Sequence, residues 1–85
     1  MSSFEEYYYT NIALQIRKYR IKSGLTQEAL SEMLSKNLKY LGHIERCERK
    51  ISHKILIKLL DIWEIQPNEF FAFKDDYKWK KIDCK

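Results

Sequence analysis

The segment His-Ile-Glu-Arg-Cys-Glu-Arg-Lys, residues 43–50, brings together a histidine, a cysteine, two glutamates and three cations. His43 and Cys47 are four positions apart, so they would share one face of a helix. A histidine beside a cysteine suggests a metal site or an activated thiol. The mixture of carboxylates and cations suggests ion pairing or the binding of an anion.

The metal and enzyme hypotheses find little support in the rest of the chain. The two histidines and two cysteines show neither C-x-x-C nor H-x-x-x-H spacing. A ligand set of His43, Cys47, His53 and Cys84 requires the C-terminal segment to fold back. There is no glycine-rich phosphate loop and no nucleophile with an adjacent base. We therefore expect no enzymatic activity, no metal and no cofactor.

Composition indicates one small helical domain. The chain has 85 residues, of which two are glycine and one is proline, and this scarcity favours helices over turn-rich β structure. No apolar run approaches the ~20 residues that span a bilayer. The N-terminus lacks the basic and apolar regions of a signal peptide. Two distant cysteines give no disulfide framework, so a reducing cytoplasm is expected.

The middle of the chain is its basic part. Residues 36–60 contain seven basic and two acidic side chains, while residues 61–76 contain one basic and five acidic ones. A basic segment within a nearly balanced chain predicts a docking surface for a polyanion. The alternative is a solvated basic face without a partner.

Helical spacing and capping residues predict five helices. The first starts near Ser3 or near Thr10, carries Ile12, Ile16 and Tyr19 inward, and ends at Gly24. The second runs from Gln27 to about Leu34 and is capped by Thr26, with Leu30 and Leu34 inward.

After a turn at 35–37, Asn37 is expected to cap a third helix over 38–45 with Leu41 and Ile44 inward. Ser52 caps the fourth helix, whose apolar residues are Ile55, Leu56, Leu59, Leu60 and Trp63. Pro67 suits the first turn of the fifth helix. Residues 74–85 fit neither helical nor strand periodicity.

Two short helices joined by a tight turn are typical of a helix-turn-helix. Several stretches match one such family: I-R-K-Y-R (16–20), G-L-T-Q-E-A-L (24–30), the pair Leu41/Ile44, I-E-R-C-E-R-K (44–50) and E-F-F (69–71). From about Ile12 to Phe71 the chain resembles the Cro/phage-repressor (Xre-type) helix-turn-helix family.

The resemblance implies an all-α fold, a compact five-helix bundle in which helices 2 and 3 form the helix-turn-helix. The DNA-binding domain would cover 1–73 with its core at 12–71, and 74–85 would be a tail, either for dimerisation or flexible. A helix in the major groove presents its N-terminal residues to base edges. The third helix is therefore the expected recognition helix.

Candidate DNA-contacting residues follow from this placement. The base-reading residues are expected to be Asn37, Lys39, Tyr40 and His43. The phosphate-binding residues are expected to be Gln27, Arg46, Arg49, Lys50 and, more peripherally, Arg17. Gln27 matches the glutamine that contacts a phosphate in the family. For each residue the alternative is an ordinary solvated side chain.

Four further positions raise structural questions. Arg20 and Glu45 match a partly buried ion pair of the family, which makes Glu45 structural. Leu38 stands where the family usually has a polar base-reader; we expect it to turn inward, the alternative being contact with a thymine methyl. Cys47 stands where the family usually has a glycine at a left-handed exit from the third helix, so either the backbone strain is accepted there or the turn differs locally. A redox-active thiol, promoted by the cationic neighbours, is the alternative to a purely structural role.

The expected function is that of a dimeric, sequence-specific regulator of transcription, most simply a repressor acting on a pseudo-palindromic DNA site. The protein is expected to be prokaryotic or phage-encoded, cytoplasmic and associated with the nucleoid. The predicted dimer interface comprises Trp63, Phe70, Phe73, Tyr77 and Trp79, for which the alternative is packing under the first helix. An autorepressing antitoxin, a phage immunity repressor and a restriction–modification controller are equally compatible. So is a protein-interaction module of the same fold that does not bind DNA.

Overall fold

Five helices make up the part of the chain that the computed structural model describes, residues 3–73. They are α1 (Ser3–Lys22), α2 (Gln27–Met33), α3 (Tyr40–Glu45), α4 (His53–Trp63) and α5 (Pro67–Phe70). No strand occurs among these residues. The predicted all-α class and the helix count are confirmed. None of these helices is long and apolar enough to cross a membrane.

Local capping explains where three of the helices begin. The Thr26 side chain accepts a hydrogen bond from the Ala29 backbone N–H at 3.0 Å, and the Ser52 side chain accepts one from Ile55 at 3.3 Å. Each bond satisfies a donor that the first helical turn leaves unpaired. Pro67 occupies the first turn of α5. These starts are as predicted, and α1 begins at Ser3, the earlier of its two expected positions.

Helices α1 to α4 all end in the same kind of turn. Each is followed by one residue with a left-handed backbone: Gly24 (φ 74°), Ser35 (φ 57°), Cys47 (φ 60°) and Glu64 (φ 54°). Two backbone hydrogen bonds then close the turn back onto the last helical carbonyls, the arrangement of a Schellman motif. Only the first of these positions is glycine, so the other three carry a Cβ where it costs roughly 1 kcal/mol.

The core forms where α1, α2, α3 and α4 meet. Of the residues predicted to face inward on α1 and α2, Ile12, Ile16, Leu30 and Leu34 are buried. Tyr19 is only partly buried and packs against the edge of the core. Phe70 of α5 closes the same cluster with no exposed surface. The buried cluster consists of Ile12, Ile16, Leu30, Leu34, Tyr40, Leu41, Ile44, Ile51, Ile55, Leu56, Leu59 and Phe70.

The third helix starts two residues later than predicted. The Asn37 side chain accepts a hydrogen bond from the Lys39 backbone N–H at 2.9 Å, a local turn that competes with helix formation. α3 therefore begins at Tyr40, and Leu38 lies in the turn with 53% of its surface exposed. The expectation that Leu38 turns into the core is wrong. Tyr40, 5% exposed, lies in the core instead.

A buried serine fixes α3 against α2. The Ser31 hydroxyl, on α2, accepts a hydrogen bond from the Leu41 backbone N–H at 3.1 Å. Lys39, the residue before α3, provides no side-chain cap. Ser31 therefore satisfies an N-terminal donor of α3 from the neighbouring helix, and this bond holds the two helices of the helix-turn-helix in register.

Candidate nucleic-acid interface

The outer face of α3 forms a ridge between two open clefts. Lys39 and His43 line both of them. One cleft, of about 420 Å³, is completed by Lys36, Asn37, Tyr40 and Arg49. The other, of about 360 Å³, is completed by Gln27, Glu28, Leu38, Gly42 and Arg46. The structure thus brings together most of the predicted base-reading and phosphate-binding residues on one surface.

Beneath this surface lies the ion pair between α1 and α3. Arg20 Nε and Nη2 donate to the two carboxylate oxygens of Glu45 at 2.7 and 3.2 Å, and Nη1 donates to the Leu25 carbonyl at 2.9 Å. The side chains of Arg20 and Glu45 are 13% and 4% exposed. The structure therefore contains the pair expected from the resemblance, in bidentate form, and Glu45 is held in a structural contact.

Gln27 is oriented by the same carboxylate. Its Nε2 donates to Glu45 Oε1 at 3.0 Å, which holds the amide at the edge of the smaller cleft. A Cβ on Gly42 would lie 3.2 Å from Gln27 Oε1 and 3.1 Å from Arg46 Nη1. The absence of a side chain at Gly42 therefore lets both polar groups lie close against α3.

The structure contradicts the prediction that Tyr40 reads bases. Its side chain is buried in the core cluster, and burial raises the pKa of its phenol, an effect that nearby Arg49 partly opposes. The Lys36 ammonium and the Arg49 guanidinium lie 5.4 and 5.1 Å from the centre of the ring. Tyr40 thus acts as a buried platform that holds two cations at the larger cleft.

Glu48, which sequence reasoning did not single out, pairs with two predicted DNA contacts. Its carboxylate lies 2.8 Å from His43 Nδ1 and 3.2 Å from both Nε and Nη2 of Arg46. Hydrogen bonds from Arg46 and then His43 lower the pKa of Glu48 to about 2. The signal for it in the sequence is an acidic residue inside a basic run.

Two predicted phosphate ligands lie away from the clefts. Lys50 Nζ pairs with Glu5 of α1 at 3.3 Å and lies 5.1 Å from the centre of the Tyr9 ring. Arg17 is exposed on α1 and lines neither cleft. The structure therefore groups Arg46 and Arg49 with the ridge, but not Lys50 or Arg17.

The residues predicted to form the dimer interface differ in how deeply they are buried. Phe70 is fully buried within this chain, which corrects its assignment to an intermolecular surface and agrees with the alternative of packing under α1. Trp63 is half-buried with its ring 5.6 Å from that of Tyr19, and Phe73 lies 6.0 Å from Tyr7. Tyr77 and Trp79 lie outside the described residues.

Cys47 has the left-handed backbone expected at the exit of α3. Among residues 3–73 no group of three or more His, Cys, Asp or Glu side chains lies close enough to hold a metal ion. The fourth residue of the hypothetical ligand set, Cys84, lies outside the described residues.

The two-helix unit, its linking turn and the cationic ridge define a small all-α domain of the helix-turn-helix DNA-binding class. A family model described as "Helix-turn-helix" matches residues 16–70. The chain therefore belongs to the Cro/phage-repressor (Xre-type) helix-turn-helix family.

Curated relatives agree with this membership. The chain is 30% identical over 67 residues to the HTH-type transcriptional regulator RamB of Mycobacterium tuberculosis, in the strains CDC 1551 / Oshkosh and ATCC 25618 / H37Rv. That match covers 79% of this chain and 14% of each RamB chain. This chain thus corresponds to a small part of those longer proteins. No solved structure matches it significantly.

Proposed function

We propose that this protein is a regulator of transcription that binds double-stranded DNA by placing α3 in the major groove. The observation that carries the proposal is the ridge of Lys39 and His43 between two clefts lined by further polar and cationic groups. A major groove about 12 Å wide admits one helix, whose exposed side chains meet base edges while flanking donors meet phosphates. Family membership supports the same role.

Within this proposal the contacts divide by chemistry. Lys39 donates to guanine acceptors, and His43 donates or accepts according to its tautomer. Leu38, exposed beside Gln27 at the smaller cleft, contacts a thymine methyl, the alternative left open by the sequence. Asn37 lies in the turn before α3. Arg49 and Gln27 hold phosphates on the two sides of the ridge.

We further propose a symmetric dimer that represses from a pseudo-palindromic site. A single small domain buries little DNA surface, whereas a dimer reads two half-sites roughly 34 Å apart, one turn of the double helix. Such a protein acts in the cytoplasm of a bacterium or an infected cell and needs neither cofactor nor catalytic activity. RamB is itself named a transcriptional regulator, which favours this role over an antitoxin or a restriction–modification controller.

The test is selection of bound duplexes from a random pool, followed by titration of the selected site at two salt concentrations. The proposal predicts two half-sites spaced by one helical turn and an affinity that falls steeply with salt. An intact protein that binds no duplex, or binds one without salt dependence, would contradict it. That outcome would favour a protein-interaction module, a role compatible with the carboxylate of Glu48 beside His43 and Arg46.

Single substitutions separate base contacts from phosphate contacts. Lys39→Ala and His43→Ala are expected to relax sequence preference, by about 1–3 kcal/mol of discrimination at the base that each residue contacts. Arg49→Ala is expected to weaken all duplexes alike and reduce the log–log salt slope by about 0.9. Lys58→Ala is the matched control, because Lys58 is an exposed cation on α4 that lines neither cleft. Unchanged preference in His43→Ala would contradict the assignment at that position.

A further inference from the structure

The end of the recognition helix carries an anion among groups proposed to bind DNA. Glu48 Oε1 lies 2.8 Å from His43 Nδ1 and 3.2 Å from Arg46 Nη2, while its Oε2 lies 3.2 Å from Arg46 Nε. The side chains of His43, Glu48 and Arg46 are 43%, 40% and 47% exposed. The cluster is therefore open to solvent, and an external anion can reach the same donors.

The backbone, and not only the flexible side chain, holds Glu48 at this place. Cys47 has a φ of 60°, which reverses the chain immediately after α3. The Cys47 N–H then donates to the Ile44 carbonyl at 3.0 Å, and the Glu48 N–H donates to the His43 carbonyl at 2.9 Å. The second bond returns residue 48 to the last turn of α3, where its carboxylate lies within reach of His43 and Arg46.

On the opposite side of the ridge, the cationic side chains are not paired with a carboxylate of residues 3–73. Lys36 and Arg49 lie against the face of Tyr40, and neither takes part in an ion pair recorded within residues 3–73. Within residues 3–73, an internal carboxylate therefore compensates one of the two cationic flanks of α3 but not the other.

We propose that Glu48 is a tethered competitor of the DNA phosphate: its carboxylate occupies the place where a backbone phosphate would bind Arg46 and approach His43. This inference rests on the proposed DNA binding. A carboxylate and a phosphate oxygen accept the same pair of guanidinium N–H bonds. DNA must therefore displace Glu48 from Arg46, and the released carboxylate then lies close to the polyanion. Glu48 lowers the affinity for every duplex and reduces its dependence on salt.

The first test compares Glu48→Gln with Asp61→Asn, which removes the same charge from an exposed position on α4. Both are titrated with the selected duplex at two salt concentrations. Glu48→Gln is expected to bind about two- to tenfold more tightly and to steepen the log–log salt slope by up to about 0.9. An effect of Glu48→Gln no larger than that of Asp61→Asn would overturn the proposal.

A double substitution assigns the effect to Arg46. In an Arg46→Met background the carboxylate has lost the partner for which it competes. Adding Glu48→Gln to that background should therefore raise the logarithm of the duplex affinity by less than half as much as it does in the natural protein. A full gain in that background would overturn the competition, because it would identify Glu48 as a general source of charge repulsion.

Two measurements without DNA distinguish failure of this inference from failure of the proposed function. Inorganic phosphate should shift the Arg46 Nε–H resonance at lower concentration in Glu48→Gln than in the natural protein. Equal phosphate affinity would overturn the competition. The carboxyl carbon of Glu48 should titrate at about 2 and move toward its ordinary value in Arg46→Met. An ordinary titration in the natural protein would also overturn it. Absence of duplex binding by every variant would overturn the proposed function and, with it, the role of Glu48 toward DNA, even if Glu48 still competed with inorganic phosphate.

Discussion

Two glutamates three positions apart in the sequence have opposite roles at the residue scale. Glu45 is almost fully buried and accepts hydrogen bonds from Arg20 and Gln27. Glu48 is exposed and shares its carboxylate between His43 and Arg46. A buried ion pair leaves an uncompensated charge when one partner is lost, whereas water solvates the partner left by an exposed pair. The first carboxylate is therefore expected to matter for stability and the second for binding.

Substitution of the two arginines tests this division. Arg20→Met is expected to lower the free energy of unfolding by about 3 kcal/mol, because Glu45 is left with Gln27 as its remaining side-chain donor. Arg46→Met removes an exposed pair whose charges solvent screens, so it should lower the unfolding free energy much less than Arg20→Met does. Both are measured by urea denaturation at neutral pH. Equal losses in the two variants would contradict the distinction between a buried and an exposed pair.

The pH dependence of the exposed cluster follows from the lowered pKa of Glu48. Because its carboxyl has a pKa of about 2 in the folded chain and an ordinary value near 4.5 when unfolded, its pairing stabilises the fold fully above about pH 4.5. This contribution is lost as the pH falls through about 2. Between pH 6 and 8, the effect of Glu48→Gln on duplex affinity should therefore show no change arising from titration of Glu48. A titration midpoint of Glu48 near neutrality would contradict this.

At the scale of the helices, some helix starts could be predicted from the sequence and one could not. The starts of α2, α4 and α5 could be predicted because Thr26, Ser52 and Pro67 act locally, through their own side chains or ring. The start of α3 could not. Asn37 forms a local turn in place of the expected cap, and the donor at Leu41 is satisfied by Ser31, ten residues earlier. A hydrogen bond between two helices joins residues far apart in the sequence, so it cannot be recognised from the short spacing between a capping residue and its donor.

The bond between Ser31 and Leu41 is expected to contribute more than an ordinary helix cap. Ser31→Ala should destabilise the fold by about 2 kcal/mol, because a buried backbone N–H loses its acceptor. Ser52→Ala removes a cap at an exposed residue and should cost about 1 kcal/mol. Thermal unfolding of both variants gives the comparison. A smaller loss for Ser31→Ala would show that the serine does not hold α3.

The left-handed helix ends predict substitutions that increase stability. Ser35→Gly and Glu64→Gly should each stabilise the fold by about 0.5–1 kcal/mol, since both residues have φ above 50° without being glycine. Glu32→Gly, at an exposed helical position of α2, is the control and should destabilise the fold by about 1 kcal/mol. Urea denaturation measures all three. Destabilisation by Ser35→Gly would contradict the assigned strain.

At the scale of the whole molecule, the sequence predicted the architecture better than it predicted the interface. Apolar spacing identified the helix faces that meet in the core, because burial of such faces drives folding. The interface depends on which polar side chains the tertiary structure turns toward one another. The buried position of Tyr40, the exposure of Leu38 and the pairing of Lys50 with Glu5 could not be predicted from neighbours in sequence. The grouping of Lys39, His43 and Arg46 could be predicted, because all three lie on one short helix or directly at its two ends.

Repetition of one turn at four helix ends also sets where this scaffold is free to vary. In each case the residue after the left-handed position folds back over the helix that has just ended. After α1 and α4 that residue is Leu25 or Ile65, which packs against the core, but after α2 and α3 it is Lys36 or Glu48, which is exposed beside the recognition helix. Positions 36 and 48 are thus two adjustable sites on a fixed backbone. Descendants of this chain could strengthen or weaken their hold on a polyanion by exchanging charges there, without altering the packing that defines the fold.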